Sequence, residues 1–266
     1  MKTSRFVVLA CMCCILAGCG APSKSSSMSA TPQSDTGGSG GGPPAPPPTP
    51  IAVVDSFPIS GWQTCGTCGN TGGSGNSATA NYSVVDASTP SLDGDSSKFF
   101  IQALNPYANA YWWYTSSSTY ATSKHVAYQF QLYIPSAARE ASQAVEFEFQ
   151  QSSGGMVFNF AWQADFGHGV WRNFDYINRA WVATSVPVDM LTPDTWHLIR
   201  VEGTRTDTIN TNTTITIDGV THTVNSQFPG KNTGGNDKFT NAFQLDSDSA
   251  MDPYSVYVDS MKVEIY

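Results

Sequence analysis

Residues 145–163 read VEFEFQQSSGGMVFNFAWQ, and this stretch decides the fold. Val145, Phe147 and Phe149 alternate with polar residues, and the alternation resumes after the turn-forming residues 152–155. A period of two is typical of a β-strand with one apolar and one polar face. The stretch therefore predicts two antiparallel strands joined by a short turn, each with one polar face.

The same period recurs along the chain. Further strands are predicted at 126–134, 170–176, 180–185, 195–204, 213–217, 220–224 and 254–266. Asp218-Gly219 is a strong hairpin signal, and a shift of the apolar phase near Asp259-Ser260 predicts a β-bulge. Helical periodicity is brief, around 136–142. The pattern predicts an all-β antiparallel sandwich or jelly roll, with residues 126–163 building a sheet whose outer side is polar and solvated.

The first 50 residues differ in composition from the rest. Residues 21–50 are rich in Ser, Thr, Gly and Pro and carry almost no large apolar side chain. Such a segment cannot bury enough surface to offset the entropy of ordering it. We therefore expect residues 19–50 to form a linker and residues 51–266 to form one β-sandwich domain.

The amino terminus has the pattern of an export signal. Lys2 and Arg5 precede a short apolar run, and the sequence then reads Leu16-Ala17-Gly18-Cys19. Residues 1–18 are predicted to be a signal peptide. The ending resembles the lipobox of bacterial lipoproteins, which implies lipidation of Cys19 and an exported protein held on the cell envelope, at the outer membrane or cell surface, by that lipid alone. An ordinary signal peptide is the alternative.

Charge limits the classes of partner. The formal net charge is −8 at pH 7, and charged residues make up only 13% of the chain. Nucleic-acid binding needs a basic surface, and the sequence has no cluster of Lys and Arg. We expect no nucleic-acid partner and no strongly anionic polysaccharide.

Two cysteines remain after the signal segment and Cys19, and they form the pair Cys65-Gly66-Thr67-Cys68. Such a pair is found in redox sites, in half of a zinc site and in small disulfides. Zinc needs four ligands, and no second pair is present. The Gly-rich surroundings favour a local disulfide between Cys65 and Cys68.

Three later segments carry a family resemblance. Residues 195–201 read TWHLIRV, residues 215–219 read ITIDG, and residues 256–263 read VYVDSMKV. This succession is similar to the later strands of concanavalin A-like lectin and glucanase domains, and the resemblance covers residues 51–266. The region 144–163, with Trp171, Trp181 and Trp196, is also similar to exported soil-bacterial proteins of this fold. The resemblance implies a sandwich fold that hosts binders, hydrolases and lyases, so it does not choose among them.

Glu146 and Glu148 are the sharpest candidates for catalysis. Alternation places them on one strand face, about 7 Å apart along the strand. The segment resembles the E-x-D-x-x-E strand of laminarinase-type glycoside hydrolases. That resemblance implies a nucleophile at Glu146 and a supporting acid at Glu148. Gln151 occupies the position of the acid/base, and an amide cannot transfer a proton as a carboxyl does.

Recognition of a glycan or polysaccharide is the favoured function. Sugars present apolar C–H faces and rings of hydroxyl groups, which aromatic faces and polar side chains match. The predicted ligand-binding set is Glu146, Glu148, Gln150, Gln163, Trp171 and Arg172. On a strand, Trp112 and Trp113 must point in opposite directions, so one of them is expected to face away from the core.

Two alternatives stay open. One is a polysaccharide-degrading hydrolase or lyase that uses Glu146 or Glu148, and the other is a structural cell-envelope interaction module. No cofactor is required. A structural calcium ion is a further possibility, because carboxylates suit hard cations. Its candidate ligands are Asp93, Asp95, Asp246, Asp248 and Asp259.

Overall fold

Two β-sheets contain most of the regular structure in the computed structural model, which describes residues 48–65 and 80–266. The first sheet is formed by β1 (Ala52–Val54), β3 (Ala80–Ala87), β4 (Ser96–Ala103), β6 (His125–Tyr133), β11 (Trp196–Arg205), β12 (Ile209–Ile217), β13 (Val220–Pro229) and β16 (Tyr254–Ile265). The second sheet is formed by β2 (Gln63–Cys65), β5 (Asn109–Thr115), β7 (Ser142–Ser153), β8 (Gly155–Asp165), β9 (Val170–Asp175), β10 (Ala180–Pro187), β14 (Lys231–Gly235) and β15 (Lys238–Ser247).

The strand order brings distant parts of the chain together. The first sheet runs β13-β12-β11-β6-β16-β4-β3, with β1 beside β16, and the second runs β10-β9-β8-β7-β15-β5-β2, with β14 beside β8. All of these pairings are antiparallel. The predicted antiparallel β-sandwich is confirmed.

Aromatic side chains fill the space between the sheets. Phe130 of the first sheet meets Phe147 of the second with ring centroids 4.7 Å apart. Phe99 and Phe243 make a similar contact at 4.6 Å. Gly203 on β11 lets the sheets approach closely, since a Cβ there would lie 2.3 Å from a ring carbon of Phe160. This core fixes which face of the second sheet looks outward.

One expectation about the layout is wrong. The strand predicted at 126–134 was placed in one sheet with the strands of residues 145–163, yet β6 belongs to the first sheet and β7 and β8 to the second. The short helix α1 (Ser136–Ala141) separates β6 from β7 along the chain. Pro135 and the apolar contacts of Ala138 and Ala141 turn the chain from one layer to the other.

The two local irregularities predicted from the sequence are present. Asp218 and Gly219 have positive φ angles of 49° and 82° and join β12 to β13. On β16 the register with β6 shifts between Asp259 and Lys262, and Ser260 has a φ of 51°. The hairpin and the bulge are both confirmed.

Candidate functional site

The outer face of the second sheet brings four strands together in regular rows. In one row Tyr111 on β5 pairs with Gln244 on β15, Gln244 with Glu146 on β7, and Glu146 with Gln163 on β8. The neighbouring row contains Trp113, Ala242, Glu148 and Ala161. Side chains two residues apart on a strand share a face, so both carboxylates point away from the core.

A cavity of about 190 Å³ opens on this face, and we call it the central cavity. Its lining residues are Tyr111, Glu146, Glu148, Gln150, Asn159, Ala161, Phe174, Tyr176, Trp181 and Gln244. Polar groups of β7, β8 and β15 form its floor. No lysine, arginine or histidine is among these described lining residues.

Aromatic rings form one wall of the central cavity. Phe174 on β9 is paired with Trp181 on β10, and their ring centroids lie 5.0 Å apart. Tyr176 continues this wall, with its ring centroid 6.4 Å from that of Phe174. Asp175 accepts hydrogen bonds from the backbone N–H groups of Ile177 and Asn178 and so fixes the turn between the two strands. The wall is therefore held by a hairpin.

Glu148 is bound by two donors on the cavity floor. The Tyr111 hydroxyl donates a hydrogen bond to Oε1, and Asn159 Nδ2 donates to Oε2 at 2.8 Å. Burial raises the pKa of Glu148, while these two donors favour its charged form and oppose the rise. Burial and the charge of Glu148 raise the pKa of Tyr111, so the phenol keeps its proton.

Glu146 is in a different environment, beside another carboxyl group. Its side chain accepts a hydrogen bond from Gln163 Nε2 at 2.6 Å and contacts Asp246. Burial and then Asp246 raise the pKa of Glu146 well above its ordinary value. Burial likewise raises the pKa of Asp246 to about 6, against the opposing hydrogen bonds of Glu146 and of Gln244, whose Nε2 donates to Oδ1 at 2.8 Å. The pair retains a proton that isolated carboxyl groups would have released.

Asn159 lines the central cavity and carries a buried side-chain acceptor. Its Nδ2 is used by Glu148, but its Oδ1 has no hydrogen-bond partner among the described residues. The residue is only 5% exposed. A buried carbonyl oxygen without a partner costs about 1–3 kcal/mol, so it is a strong acceptor for a donor placed in the cavity.

The structure places the residues proposed from the sequence in different surroundings. Glu146, Glu148 and Gln150 line the central cavity together. Gln163 lies beside Glu146 and is 6% exposed. Arg172 shares the outer face, where its Nε lies 3.0 Å from Asp165 Oδ2.

Trp171 needs a correction. The sequence predicts a ligand-stacking role for Trp171 beside Arg172, but neighbouring residues on a strand face opposite ways. Trp171 has no exposed surface and packs against Phe147 with ring centroids 5.4 Å apart. It belongs to the core, and Trp181 provides the indole at the cavity.

Gln151 also points away from the cavity. The β7–β8 pairing runs from Ala144 to Ser153 without a register shift, so no bulge turns Gln151 outward. Gln151 is 1% exposed and accepts a hydrogen bond from Arg205 Nε at 2.6 Å. The position that the laminarinase resemblance assigns to the acid/base is thus on the opposite face from Glu148.

Several cavity residues were missed from the sequence: Tyr111, Phe174, Tyr176, Trp181 and Gln244. The wall had a local signal, since 170–176 and 180–185 were predicted as consecutive strands that bring Phe174 opposite Trp181. No local sequence pattern indicated Tyr111 and Gln244, because β5 and β15 are far apart in the chain.

Trp112 and Trp113 point in opposite directions, as expected from the sequence. Trp112 is fully buried, and Trp113 lies on the outer face, where its ring stacks on that of Tyr111 with centroids 5.7 Å apart.

The acidic residues proposed for calcium fall into separate places. Asp246 lies beside Glu146, whereas Asp93, Asp95 and Asp259 line another cavity. Asp259 Oδ2 accepts hydrogen bonds from Leu92 N at 2.9 Å and Ser91 Oγ at 3.1 Å. In residues 48–65 and 80–266 no group of three or more His, Cys, Asp or Glu side chains could hold a metal ion.

Other predictions concern residues outside the described ones. Residues 1–47, including Cys19, and the segment 66–79, including Cys68, are among these, as is the Cys65 side chain. The signal peptide, the lipidation and the disulfide therefore stay predictions. Within the described ranges, no helix has the length and apolar character needed to cross a membrane.

The chain is similar to several solved structures at low sequence identity. One is a carbohydrate-binding module of the β-sandwich superfamily, with 13% identity, a TM-score of 0.38 and coverage of 77% of this chain and 57% of that one. An alginate lyase from a Chlorella virus has 8% identity and a TM-score of 0.46, and the match covers 82% of this chain and 100% of the lyase. An endo-1,3-β-glucanase from Streptomyces sioyaensis has 14% identity and a TM-score of 0.43, and the match covers 84% of this chain and 98% of the glucanase.

These similarities concern the fold. No family model matches the chain, and no curated protein matches it in sequence. The neighbours are a carbohydrate-binding module, a lyase and a glucanase. The class of protein defined here is an antiparallel β-sandwich with a polar and aromatic cavity on one outer face.

The carboxyl pair predicts a pH dependence of stability. Because the folded state binds a proton that the unfolded chain releases near pH 4, the contribution of Asp246 to stability falls as the pH rises from about 4 through about 6. Asp246→Asn keeps the contact with Glu146 and removes the second charge. We expect the variant to gain melting temperature relative to the native protein as the pH rises from 4 to 8, measured by thermal denaturation.

The exposed Asp252→Asn is the matched control, which should follow the native curve. Parallel pH curves for Asp246→Asn and the native protein would show that the pair does not share a proton.

Proposed function

We propose that the central cavity binds a carbohydrate without chemical conversion. The observation that carries this proposal is the combination of a half-buried aromatic wall with a buried, unpartnered acceptor, Asn159 Oδ1, on the floor. A sugar unit presents apolar C–H groups to the ring of Trp181 and a hydroxyl donor to Asn159. Both surfaces belong to one cavity.

The polar floor is organised before a ligand arrives. Tyr111, Asn159 and Gln163 hold the two glutamates by hydrogen bonds, so their side chains need little reordering on binding. Preorganisation reduces the entropic cost of association. The remaining acceptor capacity of the carboxyl groups and Gln150 faces the ligand hydroxyls.

The charge of the central cavity favours a neutral sugar unit there. Glu146, Glu148 and the neighbouring Asp246 provide carboxyl groups, and the described lining residues include no cation. A uronate carboxylate in this cavity would be repelled. The elimination chemistry of a lyase would also need a base, and the raised pKa of Tyr111 makes its phenol unsuited to that role.

Hydrolysis is the second candidate, and the contrast between the two glutamates favours it. Burial and then Asp246 bias Glu146 toward its neutral form, while Glu148 has two donors that favour its charged form. Paired carboxyl groups with separated pKa values are how glycosidases assign acid and base.

Binding should depend on Trp181. We expect Trp181→Ala to weaken glycan binding about tenfold or more, because truncating a central aromatic residue removes most of its contact. A glycan array followed by titration calorimetry on the bound members measures this. Trp196→Ala is the matched control, since that tryptophan lies on the first sheet and contacts Tyr133.

Equal losses in both variants, or none in either, would contradict placing the ligand in the central cavity. Failure of the native protein to bind any glycan would instead favour a structural envelope-interaction module.

Catalysis is tested on the same polysaccharides by release of reducing ends. We expect no release above the level without protein, because both carboxyl groups are engaged by neighbouring side chains and Gln151 lies on the other face. Release that persists in Trp196→Ala and disappears in Glu146→Gln would establish hydrolysis in place of simple binding.

We propose further that the protein is exported and held on the bacterial envelope by a lipid on Cys19. The pattern Leu16-Ala17-Gly18-Cys19 after a short apolar run supports this. Metabolic labelling with a fatty-acid analogue should mark the native chain and leave Cys19→Ser unlabelled. Labelling of Cys19→Ser, or its absence in the native chain, would exclude this anchor.

A further inference from the structure

A second cavity, of about 450 Å³, adjoins the central one, and we call it the distal cavity. Gln150 and Tyr176 line both cavities, so the two form one groove along β7. The other lining residues are Ser152, Val157, Thr233, Gly235, Asn236 and Lys238.

The distal cavity differs from the central one in charge. One row across the sheet pairs Lys238 with Ser152, Ser152 with Val157, and Val157 with Lys231. Both lysines are exposed, and Lys231 Nζ lies 4.9 Å from the ring centroid of Tyr176. Asp237, next to Lys238 in the chain, accepts a hydrogen bond from the backbone N–H of Gly154. Two cations thus flank this end of the groove.

Ser152 supplies the polar group between them. Its side chain is 2% exposed and lines the distal cavity, yet its Oγ has no hydrogen-bond partner among the described residues. A buried hydroxyl without a partner destabilises the fold unless a donor or acceptor reaches it. This points to a polar ligand group next to Ser152.

We propose that the distal cavity is a subsite for an acidic sugar unit, so that the ligand is an oligosaccharide with an uncharged unit in the central cavity and an anionic substituent on a neighbouring unit. This inference rests on the proposed carbohydrate binding. The substituent lies near Lys238 and Lys231, and a ligand hydroxyl or anionic oxygen meets Ser152. A glycan charged on every unit is excluded, because the central cavity holds carboxyl groups and no described cation.

The spacing of the two cavities sets a minimum ligand size. Glu148 and Ser152 are four residues apart on β7, which is about 13 Å along the strand. A single sugar ring is too short to contact both. The ligand therefore contains linked units, with an uncharged unit in the central cavity and an acidic unit beside it in the distal cavity.

The test is an array of short neutral oligosaccharides and acidic ones with a carboxylate on one unit per repeat. Each acidic member is also presented after reduction of its carboxylate to a primary alcohol, which removes the charge alone. We expect the native protein to prefer the charged form about three- to tenfold, with the preference shrinking in high salt. Lys238→Gln should remove the preference and keep binding to the reduced form.

Lys98→Gln is the matched control, because it makes the same charge change on β4 of the first sheet. Equal binding of charged and reduced forms by the native protein, with Trp181→Ala still weakening both, would overturn the acidic subsite and leave carbohydrate binding standing. Binding of no member at all would overturn both proposals.

Ser152→Ala tests the hydroxyl independently of charge. The variant should bind the acidic oligosaccharide more weakly while its thermal stability stays equal or rises, since the hydroxyl has no partner among the described residues. A loss of stability with unchanged affinity would assign Ser152 to the fold and overturn its role in the subsite.

Discussion

The unbroken register between β7 and β8 is the constraint on which the site depends. From Ala144 opposite Asp165 to Ser153 opposite Met156 the pairing has no shift. Because side chains alternate, this register directs Phe147 into the core and its neighbours on either side out of it. A slip of one residue would exchange the two faces and bury carboxylates against aromatic rings. Strong selection for a single register follows from that penalty.

The carboxyl groups on the outer face of the second sheet are largely buried, and this burial determines their hydrogen bonding and pKa values. Glu146 is 8% exposed although it lies on the outer face of the sheet. Side chains of the neighbouring strands in the second sheet cover it. In this low-dielectric setting carboxyl groups need donors or a shared proton, and Gln163, Tyr111 and Asp246 meet that need. Burial raises the free-energy cost of ionising these carboxyl groups, and the hydrogen bonds that offset this cost also hold the side chains in fixed positions for a ligand.

Local patterns predicted local structure well. The hairpin at Asp218-Gly219 and the bulge at Ser260 depend on residues adjacent in the chain, and both were predicted from the sequence. The prediction for Trp171 was wrong because stacking was inferred from residue type, whereas strand parity places that indole on the core side. Placing β6 in the same sheet as β7 was wrong for a different reason, since a period of two describes a strand's faces and says nothing about its partner strand.

The sequence alone determined the strands between residues 126 and 224 and the last strand, their apolar and polar faces, and the grouping of Glu146, Glu148 and Gln150, because alternation is a property of the chain itself. Only the tertiary structure decided that Tyr111 and Gln244 lie beside them. Those neighbours come through β5 and β15, and pairing between strands distant in the chain follows from how two whole sheets close over one aromatic core. The two carboxylates could be predicted from a short segment of sequence, whereas the cavity around them could be identified only in the folded sheet.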